Sequence, residues 1–478
     1  MDTTVERAPS ADEFLRVETR GIDAVPETER HGRPRELGLL WAGAFVNYAS
    51  LLTASYLTGS FGLGVWDGLL ACVLGTVAGA LILGLLSNTG PRTGEAQIVF
   101  TRRVFGSRGA RVGAFLTLFL AVGWFAVDCV IAAQAGSQLL GGGGRPATFA
   151  WVLLIAAVSV VVAVYGHATI KVFESFGAVA FAVLSALLFL SLAGQMHWTT
   201  GPAVSGGAYA AAFLEGFMVC FALVASWYPF ASDYSRYLPA DSRPRAVTSW
   251  PVIGVALPMV LLGLFGLLLP TIDPKLAGDP IGLISKHAPG WVAVPFFAFV
   301  VLGEVWANYL DVYTAGLVTQ TLGVRLPRWQ TALGCGVLGA LIASAAVLVN
   351  DFHQVYENFL ILTYLWAPAW AAVVLLAFFA VGYGRPGPAL LAWLLGTAVA
   401  LLFVNYPNLF PGHFPNQPLI DALHGVDLSG LVSVAVAAIS YLVLRRMTPS
   451  PRNSSPLGGE VLPAQRGGEG DVVGRARP

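Results

Sequence analysis

Between residues 37 and 445 the chain passes through twelve apolar stretches of 19 to 29 residues, at 37–59, 62–87, 112–140, 147–165, 172–194, 209–231, 250–270, 291–316, 331–349, 356–380, 387–405 and 427–445. A helix needs about 20 mostly apolar residues to cross the hydrocarbon core of a bilayer. The pattern therefore predicts an all-α polytopic membrane protein with twelve transmembrane helices, whose surroundings are the lipid bilayer. Composition agrees, with 56% hydrophobic and 11% charged residues, against about 25% charged in a soluble domain. A soluble enzyme is excluded.

Basic residues fix an orientation. With the N-terminus inside, the expected cytoplasmic segments hold 6, 5, 1, 3, 2, 1 and 6 Lys and Arg in chain order, and the external loops hold only Arg145, Lys275 and Lys286. This bias satisfies the positive-inside rule, and losing one helix would invert every later loop. Both termini are expected in the cytoplasm and the protein in the cell membrane. Residues 1–36 are too rich in Asp, Glu and Arg for a signal peptide's apolar stretch, so the first span is expected to direct insertion.

The expected organisation is an N-terminal tail at 1–36, a transporter domain at 37–445 and a tail at 446–478 whose Gly, Pro, Ser and charge predict disorder in the cytoplasm. No inter-span stretch exceeds about 25 residues, which leaves no room for a folded soluble domain. Formal net charge is zero, against nucleic acid as a partner, and no feature marks an obligate protein partner. Cys72, Cys129, Cys220 and Cys335 lie singly in apolar runs and read as packing residues, with no metal site expected. Walker, HExxH and GxSxG motifs are missing, so ATP-driven pumping, metalloprotease and serine-hydrolase chemistry have no support. All seven histidines fall in tails, loops or span ends, and any proton coupling must use carboxyls.

Four acids lie inside spans: Asp128, Glu215, Glu304 and Asp311. A charged side chain at the bilayer centre is costly, and no Lys or Arg falls deep in a span to pair with these. They are expected to be protonated, hydrogen-bonded or holding a cation, as in a cation-coupled transporter. Glu304, Asn308 and Asp311 are spaced i, i+4, i+7, which puts them on one helical face beside Gly303 and Ala307. That face is expected to line a cavity; the alternative is a polar stripe that only joins helices. In the third span Trp124 and Asp128 stand one turn apart, an aromatic face beside a hydrogen-bonding carboxyl that suits a flat polar heterocycle.

Asn47 lies midway along the first span, beside Gly43 and small polar residues that permit a break. The sixth span carries Pro229 within Ser226-Trp227-Tyr228-Pro229-Phe230, which removes a backbone hydrogen bond. Interrupted helices at matching places of two halves point to an inverted five-helix repeat with a midplane substrate site, here 37–194 and 209–380, followed by two further helices at 387–445.

The sequence resembles the nucleobase cation symporters of the cytosine, purine, uracil, thiamine and allantoin permease group, especially their purine-cytosine permease branch. The likeness covers roughly residues 18 to 375 and rests on ETRGIDAVPETERHGRPRELGLLW (18–41), WDGLLACVLGTVAGALILGLLSNTGPRTGEAQIVFTRRVFG (66–106), GWFAVDCVIAAQA (123–135), WYPFASDYSRYLP (227–239) and NYLDVYTAGLVTQTLGVRLPRW (308–329). It implies a leucine-transporter-type fold, with the first and sixth helices unwound at mid-membrane, working by alternating access. It also implies that Trp124 and Asp128 grip the substrate; Asn47, Asn308 and Trp227, by their places in the first, eighth and sixth spans, are further expected substrate-binding residues. The family's usual amide is an acid at 128, which donates a hydrogen bond only when protonated and can tie substrate binding to proton binding. The hydroxyls that sodium-using members place on the eighth span are missing from Gly303-Glu304-Val305-Trp306-Ala307. Proton coupling through Glu304, Asp311 or Glu215 is therefore favoured over sodium. Pro229, Asp233 and Arg236, at the cytoplasmic end of span six, are assigned gating or structural roles. The expected activity is import of a nucleobase such as cytosine or a purine with a proton, and the alternative is another small heterocycle, such as a thiamine-precursor pyrimidine, a hydantoin or allantoin. A membrane enzyme or receptor is the remote alternative.

Overall fold

The computed structural model describes residues 23–448 apart from 143, 165–166, 325, 350–351 and 406–415. The first 22 residues of the N-terminal tail and residues 449–478 of the C-terminal tail, where disorder was expected, lie outside the described residues. Among the described residues all regular structure is helical. The α-helices are α1 Pro34–Phe45, α2 Tyr48–Gly59, α3 Val65–Leu86, α4 Thr89–Thr93, α5 Gln97–Phe100, α6 Arg102–Leu139, α7 Gly144–Val164, α8 His167–Leu192, α9 Gly206–Ala225, α10 Ala231–Ser235, α11 Pro244–Leu268, α12 Pro280–His287, α13 Gly290–Leu322, α14 Arg328–Val349, α15 Phe352–Leu375, α16 Pro386–Ala400, α17 Gln417–Ala422 and α18 Ser429–Met447.

Among the described residues ten helices are long and apolar enough to cross a membrane, and the bent pair α1 and α2, counted as one span, makes eleven. The twelfth expected crossing corresponds to α8, whose described apolar part, Val179–Gln195, is shorter than the others. Each remaining expected span coincides with one helix or with the bent pair.

The first span breaks where the sequence places Asn47. Its two halves meet at 61°, and Asn47 is extended (φ −137°, ψ 170°) with its Oδ1 accepting from the Ser50 amide at 2.9 Å. Its Nδ2 donates to the Ala44 carbonyl at 2.8 Å, while the Ser50 hydroxyl reaches the Phe45 carbonyl at 2.8 Å and Asn47 Oδ1 at 3.1 Å. One side chain thus closes the C-terminus of α1 and caps the N-terminus of α2, which a break inside a bilayer requires. The sixth span behaves differently from the expectation of matched unwinding. Ser226 (φ −60°, ψ −23°) and Trp227 (φ −90°, ψ −3°) stay right-handed, and the chain tightens into a 3₁₀ turn at Tyr228–Phe230 before α10. Pro229 suits an early position of such a turn because its φ is fixed and its missing N–H is not needed there.

Packing follows the two halves. α3 packs on α11, α6 on α13 and α7 on α14, so each helix meets its counterpart five spans later. α15, α16 and α18 form a further group. Glycine permits the closest approaches: a Cβ on Gly75 would meet the Phe217 carbonyl, and one on Gly254 the Gly38 carbonyl. In the same α3–α9 seam the buried thiols of Cys72 and Cys220 face each other and remain free. Gly75→Leu is expected to cost about 1–3 kcal/mol or more by overpacking, seen as a lowered melting temperature in detergent. Gly334→Ala, where a Cβ meets nothing within 4 Å, is the control expected to leave melting unchanged.

Candidate functional site

The i, i+4, i+7 spacing in α13 places Glu304, Asn308 and Asp311 on one face, and all three are buried (1%, 0% and 2% exposed). That helix packs against α6, which contributes buried Asp128. Glu304 approaches the Asp128 carboxyl on one side and the Tyr48 backbone N–H on the other. Tyr48 is the first residue past the break, so its amide is one of the unspent donors of a helix N-terminus, where negative charge is favoured. Neither Glu304 oxygen closes a hydrogen bond of regular geometry, and Asn308 Oδ1, Asp311 Oδ1 and Trp124 Nε1 are also buried without one. Among the described residues no ion pair includes these acids, and no group of three His, Cys, Asp or Glu is arranged to hold a metal.

An aromatic wall stands beside the acids. Trp124 meets Tyr356 edge-on at 6.1 Å and Phe359 at 5.3 Å between ring centroids. Gly123 makes room for the Phe359 ring, which a Cβ at that position would strike. The Tyr356 hydroxyl and Thr53 Oγ1, on α2, lie 3.0 Å apart. Tyr356, Phe359 and Thr53 were missed in the sequence. The available signal was the i, i+3 pair of aromatics at the start of the tenth span, which reads equally well as ordinary packing.

The other expected site residues lie around this centre. Asn47 spends most of its side chain on the break. With Gly43, Ala44 and Val46 it lines a void of about 30 Å³ that Trp227, Gly303, Trp306 and Ala307 close. Trp227 packs edge-on against Trp41 at 5.7 Å, beneath the break. Asn308 Nδ2 points to Cys129 Sγ and Ser159 Oγ, 3.4 Å from each. Glu215 lies elsewhere, where its carboxyl accepts from the Asp427 amide at 3.3 Å and lines a cavity of about 410 Å³ with Tyr364, Asn405 and His424. At the other end of the sixth span, Asp233 accepts from the Gln97 amide at 2.8 Å and from Thr314 Oγ1 at 3.4 Å. Buried Arg236 donates to the Tyr313 hydroxyl at 3.3 Å. These bonds tie α10 to α5 and to α13.

The sequence profile of the permeases for cytosine/purines, uracil, thiamine and allantoin matches residues 24–387. The chain belongs to this family. It is 26% identical over 463 residues to a putative purine-cytosine permease of Bacillus subtilis, covering 90% of this chain and 96% of the relative. A vitamin B6 transporter of Saccharomyces cerevisiae is 24% identical, with 73% of this chain and 63% of the relative covered. A hydantoin permease of Microbacterium maritypicum is 25% identical, with 73% and 80% covered. Among solved structures, the nucleobase-cation-symport-1 family transporter Mhp1, closed with bromovinylhydantoin bound, superposes with a TM-score of 0.69 at 17% identity, covering 93% of this chain and 97% of that one.

The permease thus has the leucine-transporter-type fold. It is a multi-pass membrane transporter of a small molecule and not an enzyme. The broken first span meets α13, which carries Glu304, at the Tyr48 amide and across the void lined by Asn47 and Gly303.

Proposed function

We propose that this permease imports a nucleobase of the cytosine or purine type together with a proton, by alternating access across the cell membrane, with both termini in the cytoplasm. Trp124 stacks on the ring; Asp128 and Asn308 read its polar edges, with the remaining Asn47 N–H and Trp227 on the far side of the break. Glu304, in contact with Asp128 and facing the Tyr48 amide, carries the coupling proton, and Asp311 lies one helical turn farther along. Asp233 and Arg236 hold the cytoplasmic side closed through Thr314 and Tyr313, and the Pro229 turn stiffens the segment that presents them. Glu215, engaged with Asp427, stands outside this route.

The observation that carries the reading is the carboxyl contact between Asp128 and Glu304 at the break. A carboxyl binds and releases a proton without a cage of oxygen ligands. Among the described residues that line the void between the break and α13 there is no Ser or Thr, which favours protons over sodium. A second reading of the cargo, another small heterocycle, draws on the vitamin B6 transporter and the hydantoin permease, which match at nearly the same identity as the purine-cytosine permease.

The test is uptake of labelled cytosine, adenine, guanine, hypoxanthine and uracil into proteoliposomes, under an imposed pH gradient and then under a sodium gradient. Accumulation of a base driven by protons alone is expected. Sodium-driven accumulation overturns the coupling, and no uptake of any base overturns the cargo.

A further inference from the structure

A groove of about 490 Å³ lies between α6, α14 and α15. Every described residue that lines it is apolar, along α6 from Phe115 to Val130, on α14 at Leu338, Ile342 and Ala346, and on α15 at Phe359 and Leu362. All three helices contain stretches long and apolar enough to cross a membrane, and the exposed rings of Phe115 and Phe119 mark the groove as open to the side. At 1.5 Å per residue its α6 wall runs about 22 Å, more than the depth of one leaflet, which is half of a hydrocarbon core of about 30 Å. A hydrocarbon chain can lie along this wall, whereas a polar group inside it would find no partner.

The foot of the groove is basic. Arg111 and Arg108 precede Phe115 by four and seven residues, on the helical face that also carries Val122 and Ala126. Both are exposed, and among the described residues neither has an ion pair or a hydrogen-bonding side chain to meet. Glu95, the one acid between Asp67 and Asp128 in the sequence, is taken by Arg103 through two bonds at 3.0 and 3.1 Å. Guanidinium groups pair with phosphate through strong charge-assisted hydrogen bonds. In the orientation proposed above, this end of α6 meets the cytoplasmic leaflet, whose surface carries anionic lipids.

We infer that an anionic phospholipid binds here, with its phosphate at Arg108 and Arg111 and one acyl chain in the groove. The chain lies against Phe359, whose ring stands 5.3 Å from Trp124 and occupies the space that Gly123 leaves. A bound lipid therefore backs the aromatic wall from the membrane side. Head-group charge sets the preference, since a zwitterionic lipid brings its own cation towards the two guanidinium groups and phosphatidylglycerol brings the phosphate alone. The inference depends on the membrane-spanning fold and not on the cargo or the coupling ion.

The test is native mass spectrometry of the purified full-length protein, stripped of lipid in detergent and titrated with phosphatidylglycerol or phosphatidylcholine of the same palmitoyl and oleoyl chains. For the first lipid bound, the wild type is expected to prefer phosphatidylglycerol by about tenfold or more. The double variant Arg108→Gln, Arg111→Gln is expected to bring that ratio below about threefold while still binding lipid through the groove. Ala346→Phe, which puts a ring into the groove, is expected to weaken binding of phosphatidylglycerol about threefold or more. Equal binding of the two lipids by the wild type overturns the inference, as does an undiminished ratio in the double variant or undiminished binding in a folded Ala346→Phe protein. If Ala346→Phe does not fold, the wild type and the double variant decide alone. A lipid-free dimer as the main species overturns it too, because a second copy of the chain then covers this face. None of these outcomes bears on the proposed cargo or its coupling.

Discussion

Glu304→Gln is expected to abolish uphill accumulation of substrate while leaving exchange of base across the membrane intact. Glutamine keeps the size and hydrogen-bonding reach of the side chain, so the contact with Asp128 and with the Tyr48 amide survives, but it carries no proton. At one proton per substrate, a gradient of one pH unit sustains about tenfold accumulation, equivalent to about 1.4 kcal/mol. In the variant that ratio is expected to fall to about one. Counterflow with substrate on both sides, which needs only the opening and closing of the site, is expected to proceed. Preserved uphill uptake removes Glu304 from the coupling and directs attention to Asp311, which Asp311→Asn then tests by the same pair of assays.

The second large effect concerns Trp124. Stacking of a base on an aromatic side chain is worth about 1–3 kcal/mol, so Trp124→Ala is expected to raise the half-saturation concentration for uptake roughly 5- to 150-fold, from the same free energy. The ring also packs on Tyr356 and Phe359, so a second variant separates cargo binding from packing. Trp124→Phe keeps a face to stack on and is expected to recover most of the affinity. Any shortfall measures the indole N–H, which is buried and unbonded in the structure. An unchanged half-saturation concentration in Trp124→Ala overturns the placement of the cargo against this ring.

Much of this architecture was legible in the sequence because a bilayer restricts what an apolar run can be. Spans, the face formed by Glu304, Asn308 and Asp311, and the break at Asn47 all follow from local pattern, since a helix has a fixed period and a cap has few chemical solutions. The sixth span was harder to read. Proline signals a departure from α-helix but serves an opened break and a tightened 3₁₀ turn alike, and the choice depends on neighbours distant in sequence. The same holds for the site. Trp124 and Asp128 are one turn apart and readable together, whereas Tyr356, Phe359 and Thr53 reach the cluster only through packing of α15 and α2. Four acids look equivalent in sequence; the fold gathers Asp128, Glu304 and Asp311 and sends Glu215 to another cavity, a sorting that no local spacing encodes.

One loop bears on how such a carrier tolerates its own driving force. Between α11 and α12, on the side assigned to the exterior, Asp273 accepts from Lys286 Nζ at 2.7 Å and lies 3.3 Å from His287 Nε2. These bonds hold its carboxyl down to about 2, against an ordinary value near 3.9. A carboxyl depressed in the folded state lends stability above its ordinary value and loses it only as pH falls through the lowered one. Under the proton coupling proposed above, acid outside would drive uptake, and the loop that meets that acid keeps its fastening until the pH falls to the lowered value, so the medium that would power uptake does not loosen the part exposed to it.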